Sequence, residues 1–294
     1  MLSQRSRTPR RRLRGATVAG VLGAVLALLL GTAGTALAAP PAGAKPIQEG
    51  DAYMGVGQRI HEGQGPEQAP SPGTQSHGSG VQGIDVSHWQ GAINWNSVRN
   101  SGIQFAWIKA TEGTSYEDPR FNSNYVDAYY AGVIRGAYHF ARPDVSGGGT
   151  QANFFASNGG AWSADNRTLP GVLDIEHNPY GSMCYGKSTT QMRAWINDFY
   201  NTYKARTGRD VVIYTTASWW NTCTGSWGGM YSKSPLWVAH WTSNHSPTIP
   251  NGFPTWTVWQ YTSTGSVSGI SGNVDRNKFN GDRSRLLALA NNTP

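Results

Sequence analysis

Thr168-Leu-Pro-Gly-Val-Leu-Asp174-Ile-Glu176-His177 is an apolar run that ends in two carboxylates two positions apart. Side chains of a strand alternate between faces, so Asp174 and Glu176 point the same way with α-carbons ~7 Å apart. A run that is apolar on both faces is characteristic of a parallel strand buried within a sheet. Placing acids at its last inward positions brings charge to the mouth of a core, which is costly for groups without partners. Such a pair suits acid/base work on a glycosidic bond, where unequal surroundings raise one pKa and leave the other acid ionised. Asp-x-Glu alone recurs by chance in solvated loops; its position at the end of Val172-Leu173-Asp174-Ile175 is what distinguishes it.

Working outward, short apolar segments alternate with helical ones. Strands are predicted over residues 83–87, 105–111, 134–140, 171–176, 211–215, 236–241, 257–261 and 273–275. Helices are predicted over 95–101, 122–131, 150–158 and 189–206, with a short fifth starting at 218–221. In the long helix, Trp195, Phe199 and Tyr203 recur at four-residue spacing, marking a buried stripe. Strand–helix alternation implies a parallel sheet covered by helices. After Thr216 the connections become Gly/Ser/Pro loops. The fold class is therefore α/β, an irregular TIM-like (β/α) barrel with eight strands and about five crossover helices.

Three regions divide the chain. Residues 1–38 carry six arginines and no acid before an apolar Ala/Leu/Val/Gly stretch that closes in Ala36-Leu37-Ala38, the layout of a cleaved secretory signal. Its near membrane-spanning length leaves an anchor as the alternative reading, and Arg10-Arg11-Arg12 leaves the export route open. Residues 39–80 are rich in Pro and Gly with few large apolar groups, a linker or propeptide composition unable to build a core. Residues 81–294 are long enough for one barrel domain. The net charge of +7 belongs largely to the leader: without it 18 basic residues face 17 acids. The charge therefore gives no ground for nucleic-acid binding. Cys184 and Cys223 are the only cysteines, and in an oxidising compartment they form one disulfide. Closing a loop of about 40 residues is worth about 4 kcal/mol in the chain-entropy model. The histidines are scattered, no zinc-ligand spacing occurs, and no metal or cofactor is expected.

In a β/α barrel, catalytic side chains gather at the carboxyl ends of the strands. That placement brings Asp85 from the first strand, Asp174 and Glu176 from the fourth, and Asp275 at the end of the last to one rim, with the first and last strands adjacent. Asp85 or Asp275 alone reads as a turn cap; four acids at strand ends read as a site. Gly83-Ile-Asp-Val-Ser-His-Trp-Gln90, Ala137-Tyr-His-Phe140, Val172-Leu-Asp-Ile-Glu176, Trp237-Val-Ala-His-Trp241, Trp259-Gln-Tyr261 and Val274-Asp-Arg-Asn-Lys-Phe279 occur in that order. This ordered set resembles the glycoside hydrolase family 25 lysozymes, in particular the Chalaropsis-type muramidases secreted by Streptomyces. The resemblance runs from about Val81 to the terminus. It implies hydrolysis of the β-1,4 bond from N-acetylmuramic acid to N-acetylglucosamine in peptidoglycan, and the family's acidic positions match Asp85, Asp174, Glu176 and Asp275.

Twelve Trp and thirteen Tyr support a sugar substrate independently, because pyranose C–H faces pack on aromatic rings. Tyr138, Tyr214, Trp241 and Tyr261 are the candidates for the cleft. Trp107, Trp195, Trp237 and Trp259 read as core, and Trp219-Trp220 stays undecided. Glu176 is expected to act as general acid and then base. Asp174 acts either as covalent nucleophile or as the group that orients the substrate's 2-acetamido, the second being preferred. A non-catalytic glycan-binding barrel would be expected to lose an acid, and a metal-dependent deacetylase would need grouped histidines; neither pattern is present. The expected protein is extracellular and monomeric, with peptidoglycan glycan strands as its partner, no nucleic acid, and no stable membrane association once the leader is removed.

Overall fold

A computed structural model describes residues 47–62 and 80–293. The proposed signal at 1–38, and residues 39–46 and 63–79 of the linker, lie outside the described residues. No helix among the described residues is long and apolar enough to cross a membrane.

Nine strands build one sheet: β1 (Val81–Val86), β2 (Phe105–Glu112), β3 (Tyr116–Glu117), β4 (Ile134–Phe140), β5 (Val172–Asp174), β6 (Val212–Thr216), β7 (Leu236–Ala239), β8 (Val258–Gly265) and β9 (Val274–Phe279). Their order is β1-β9-β8-β7-β6-β5-β4-β2-β3, and a β1–β2 pairing closes the barrel. β3 only forms a hairpin on β2, so the closed wall has the eight strands expected. Crossovers are made by α2 (Trp95–Asn100), α3 (Phe121–Tyr130), α4 (Gly148–Phe155), α5 (Thr189–Thr207) and α6 (Ala217–Thr224). Two helices were not foreseen, α1 (Val56–His61) and α7 (Arg283–Asn291). Both are short, as isolated propensity rarely sustains, and both are held by packing against the barrel.

One expectation is corrected. β9 runs antiparallel to both neighbours, so Asp275 stands near its start rather than its end. The link from Gly265 to Val274 is hairpin length, whereas a parallel crossover needs a dozen or more residues. Reversal of the strand leaves Asp275 on the expected rim, directly opposite Asp85 in the register.

Sequence determines the helix ends locally. Asn94, Thr216 and Asp282 each accept a backbone N–H at the start of α2, α6 and α7, and Ser188 and Gln191 form a reciprocal capping box on α5. The Trp195, Phe199 and Tyr203 rings stack successively, with centroids 5.8 and 6.4 Å apart. Trp107, Trp195, Trp237 and Trp259 are all buried, as are Trp219 and Trp220. Two apolar layers result. An outer layer joins the helices to the outward faces of the strands. An inner one fills the barrel with Phe105, Trp107, Val172, Val212 and Trp237, and takes Leu286 and Ala290 from α7 and Met54 from the segment 47–62. Cys184 and Cys223 are joined by a disulfide between the loop after β5 and α6.

Candidate active site

Alternation along β5 sends Leu173 outward and Val172 and Asp174 inward. The direction persists past the strand's end, where the Ile175 amide still donates to the Tyr214 carbonyl at 3.0 Å. Glu176 therefore follows Asp174 on the inner face, and both are fully buried. Across the mouth, Asp85 is held by two side-chain amides: Gln260 Nε2 donates to Oδ2 at 3.1 Å and Asn277 Nδ2 at 2.7 Å. The four acids feel one another's charge. Among the described residues none of them forms an ion pair with a lysine or arginine.

Burial sets their protonation. It pushes Glu176 up to about 8, against the pull of the Gly55 and Gly57 amides toward the ionised form. Asp174 is raised well above the usual carboxylate range, first by burial and then by the charge of Glu176. Asp85 is raised to about 6 by burial, with the Asn277 and Gln260 donors opposing. Asp275 is raised well above its ordinary value by burial and by Asp85 beside it. Crowded acids sharing protons are the physical result. Neither oxygen of Asp174 receives a hydrogen bond from a nitrogen or hydroxyl.

The aromatic candidates divide. Tyr138 and Tyr214 face the barrel interior, and burial together with the neighbouring acids holds both phenols well above their usual pKa. Trp241 donates through Nε1 to Gln260 Oε1 at 2.9 Å, and the Tyr214 hydroxyl donates to the same oxygen at 2.8 Å. Tyr261 does not join them. It packs in the outer layer and its hydroxyl donates to Gln82 Oε1 at 3.0 Å. Counting in steps of two from the inward Gln260 would have placed it there.

Other polar residues at the rim were not singled out by the sequence reading. Gln260 and Asn277 sit inside two of the quoted motifs and share the inward phase of Asp275. Lys109 and Glu112, at the end of β2, are both fully buried and paired at 2.7 Å. Charged residues ending an apolar run, the same signal that marked Asp174 and Glu176, would have found them. Tyr180 adds a hydroxyl donated to Glu112. Among the described residues no three His, Cys, Asp or Glu side chains are grouped to hold a metal ion. His139 instead lies between Thr111 and Gln151, and burial lowers it to about 4.

Residues 47–62 cover this mouth. Lys109 Nζ donates to the carbonyls of Gly50 and Ala52 at 3.1 and 2.5 Å. Trp89 Nε1 donates to the Asp51 carbonyl at 3.0 Å. Met54 is fully buried in the inner layer. The amides of Gly55 and Gly57 donate to the two oxygens of Glu176 at 2.7 and 3.0 Å. At the far end of the segment, Glu62 accepts from Thr216 Oγ1 at 3.0 Å and from the Ser218 hydroxyl.

A family model described as glycosyl hydrolases family 25 matches residues 84–270. "Lysozyme M1" of Streptomyces globisporus is 65% identical over 293 residues, covering 99% of this chain and 98% of that relative. The "N,O-diacetylmuramidase" of Chalaropsis sp is 42% identical over 205 residues, covering 67% of this chain and 97% of the relative. Among solved structures, the bacterial lysozyme from Streptomyces coelicolor superposes with a TM-score of 0.72 at 74% identity, covering 74% of this chain and 99% of that one.

Proposed function

The chain belongs to glycosyl hydrolases family 25 and is a lysozyme acting on peptidoglycan, and from that premise we propose a retaining, substrate-assisted muramidase, exported to the cell exterior. The bond cut is the β-1,4 link from N-acetylmuramic acid to N-acetylglucosamine. Glu176 is the general acid. With residues 47–62 in place burial raises it to about 8 against the pull of the Gly55 and Gly57 amides, and delivery to a leaving glycosidic oxygen requires an acid that holds its proton near neutral pH. Once the leaving sugar departs, the same carboxylate takes a proton from water.

The observation that carries the role of Asp174 is its lack of donors. Neither buried oxygen accepts from an amide or an alcohol or phenol hydroxyl, and the neighbouring Glu176 carboxyl is the side-chain partner of Asp174, which leaves acceptor capacity that is costly to bury unused. A 2-acetamido N–H is a partner of the right kind. Accepting that hydrogen bond draws Asp174, raised by burial in the free site, back toward its ionised form, aligns the acetamido oxygen on C1 and stabilises the positive charge that develops as the ring closes. Asp85, clamped by Gln260 and Asn277, and Asp275 beside it hold the sugar and its water rather than attack it.

Two measurements test this reading. Borohydride-reduced digests of peptidoglycan should carry muramitol at the new ends; glucosaminitol there makes the enzyme a glucosaminidase. Proton NMR of a soluble oligosaccharide should show the β-anomer forming first, and an initial α-product excludes retention.

A further inference from the structure

We infer that the cleft is a binding site for this chain's own residues 47–62, which compete with the glycan strand and hold the enzyme latent until the chain is cut between Glu62 and Gly80. The inference rests on the muramidase reading for what is inhibited, and on geometry for how.

Three observations carry it. First, the segment takes the reacting atoms themselves: both oxygens of Glu176 are occupied by the amides of Gly55 and Gly57. The two fixed N–H groups pull the carboxyl toward its ionised form, and the backbone that carries them stands against both oxygens where a glycosidic oxygen would have to approach. Second, Met54 is fully buried and joins the inner apolar layer that includes Tyr138 and Tyr214, two of the residues expected to line the cleft. Third, the approach is so close that it depends on glycine. A Cβ on Gly57 would stand 2.4 Å from the His177 Cβ and 2.9 Å from Glu176 Oε2. Gly55 has a φ of +83°, and a Cβ there would stand 2.5 Å from the Trp241 ring.

The remaining contacts are those of a specific ligand. The segment is anchored at both ends, by Lys109 on the Gly50 and Ala52 carbonyls and by Thr216 on Glu62. Length comparisons point the same way. The Streptomyces coelicolor lysozyme is matched over 99% of its length by 74% of this chain, so a barrel of this kind stands without about a quarter of the present sequence.

Covalent attachment explains how a short peptide can block the site. A tether of this length supplies an effective concentration on the order of 1 mM. A peptide that binds in trans at ~10 µM would then leave about one site in a hundred free. Cutting the tether allows it to dissociate and dilute.

The test uses the chain with a specific protease recognition sequence inserted between Glu62 and Gly80. Cell-wall clearing is measured before and after cutting, and a labelled peptide of sequence 47–62 is titrated against the cut, washed protein. Cutting should raise the rate at least tenfold. The peptide should reverse the gain by raising KM with kcat unchanged, and should be displaced by soluble glycan. Gly57→Ala should activate the uncut chain by a similar factor, and the same change in the peptide should abolish its inhibition. Equal, measurable rates before and after cutting overturn the inference. So does a peptide that binds without competing with glycan. If the peptide binds and glycan displaces it, yet neither form digests peptidoglycan, the segment is confirmed as occupant of the cleft and the muramidase reading fails instead.

Discussion

Replacing Gln260 by leucine probes how the mouth is held together. One buried amide serves three partners: Nε2 donates to Asp85, while Oε1 accepts from Tyr214 and Trp241. Leucine keeps the bulk and removes all three bonds. Asp85 retains Asn277, but the Tyr214 hydroxyl and Trp241 N–H become buried donors without acceptors, each costing about 1–3 kcal/mol. A loss of roughly 2–6 kcal/mol corresponds to a fall in Tm on the order of 10 °C for a domain of this size. Losing its donor also moves Asp85 further above about 6, so the limb of the pH–rate profile that reports Asp85 should shift upward. Gln260→Glu gives the contrast. Its carboxyl still accepts from Tyr214 and Trp241 and, protonated at pH 5, donates to Asp85. It should therefore melt near the parent at pH 5 and well below it at pH 8, where a further charge would be buried among the acids. Circular-dichroism melts at the two pH values decide the matter. A leucine variant that melts within about 2 °C of the parent, with an unchanged pH profile, would refute this account of Gln260.

Stability should fall as pH rises from about 6.5 to 8. A carboxyl whose folded pKa is raised binds more protons in the folded state, so stability drops as pH passes from its unfolded to its folded value; Glu176 at about 8 governs this window. Below about 6.5 the buried His139 and His177, lowered to about 4 and about 3, act oppositely and offset part of the fall that the raised carboxyls cause; a Tm that increases between pH 6.5 and 8 contradicts the burial of Glu176. Reducing Cys184–Cys223, which closes 39 residues of sequence separation, should cost about 4 kcal/mol, and melting with and without reductant measures it; an unchanged Tm removes the disulfide as a stabiliser. Asp174→Ala, with the cleft freed, should lose most activity and gain little from added azide. Recovery with an inverted glycosyl azide makes Asp174 the nucleophile.

The barrel was legible because its strands are short, apolar and bounded by Gly, Pro and polar turns, and all eight appear in order. The acids were legible because charge at the end of an apolar run is costly and therefore informative. The reversal of β9 depended on the length of a loop, and it changed a strand's direction without changing the position of Asp275. Tyr261 fell on the wrong side because an aromatic residue packs equally well on either face of a barrel wall, so residue type alone does not fix its phase. Hardest to read was the segment 47–62. Its few apolar residues cannot form a core of their own, yet Ala52, Met54 and Val56 are buried by a surface that the barrel supplies. Its hydrogen bonds to Glu176 come from backbone amides, which have no sequence signature.

The most direct test of the central claim is the turnover of Glu176→Gln on peptidoglycan, measured in protein whose cleft has been freed. Glutamine keeps the shape and cannot deliver a proton. The rate should fall by ~10²–10⁴-fold, with KM little changed. A variant that turns over at near the parent rate would show that Glu176 is not the acid, and the mechanism built on it would not stand.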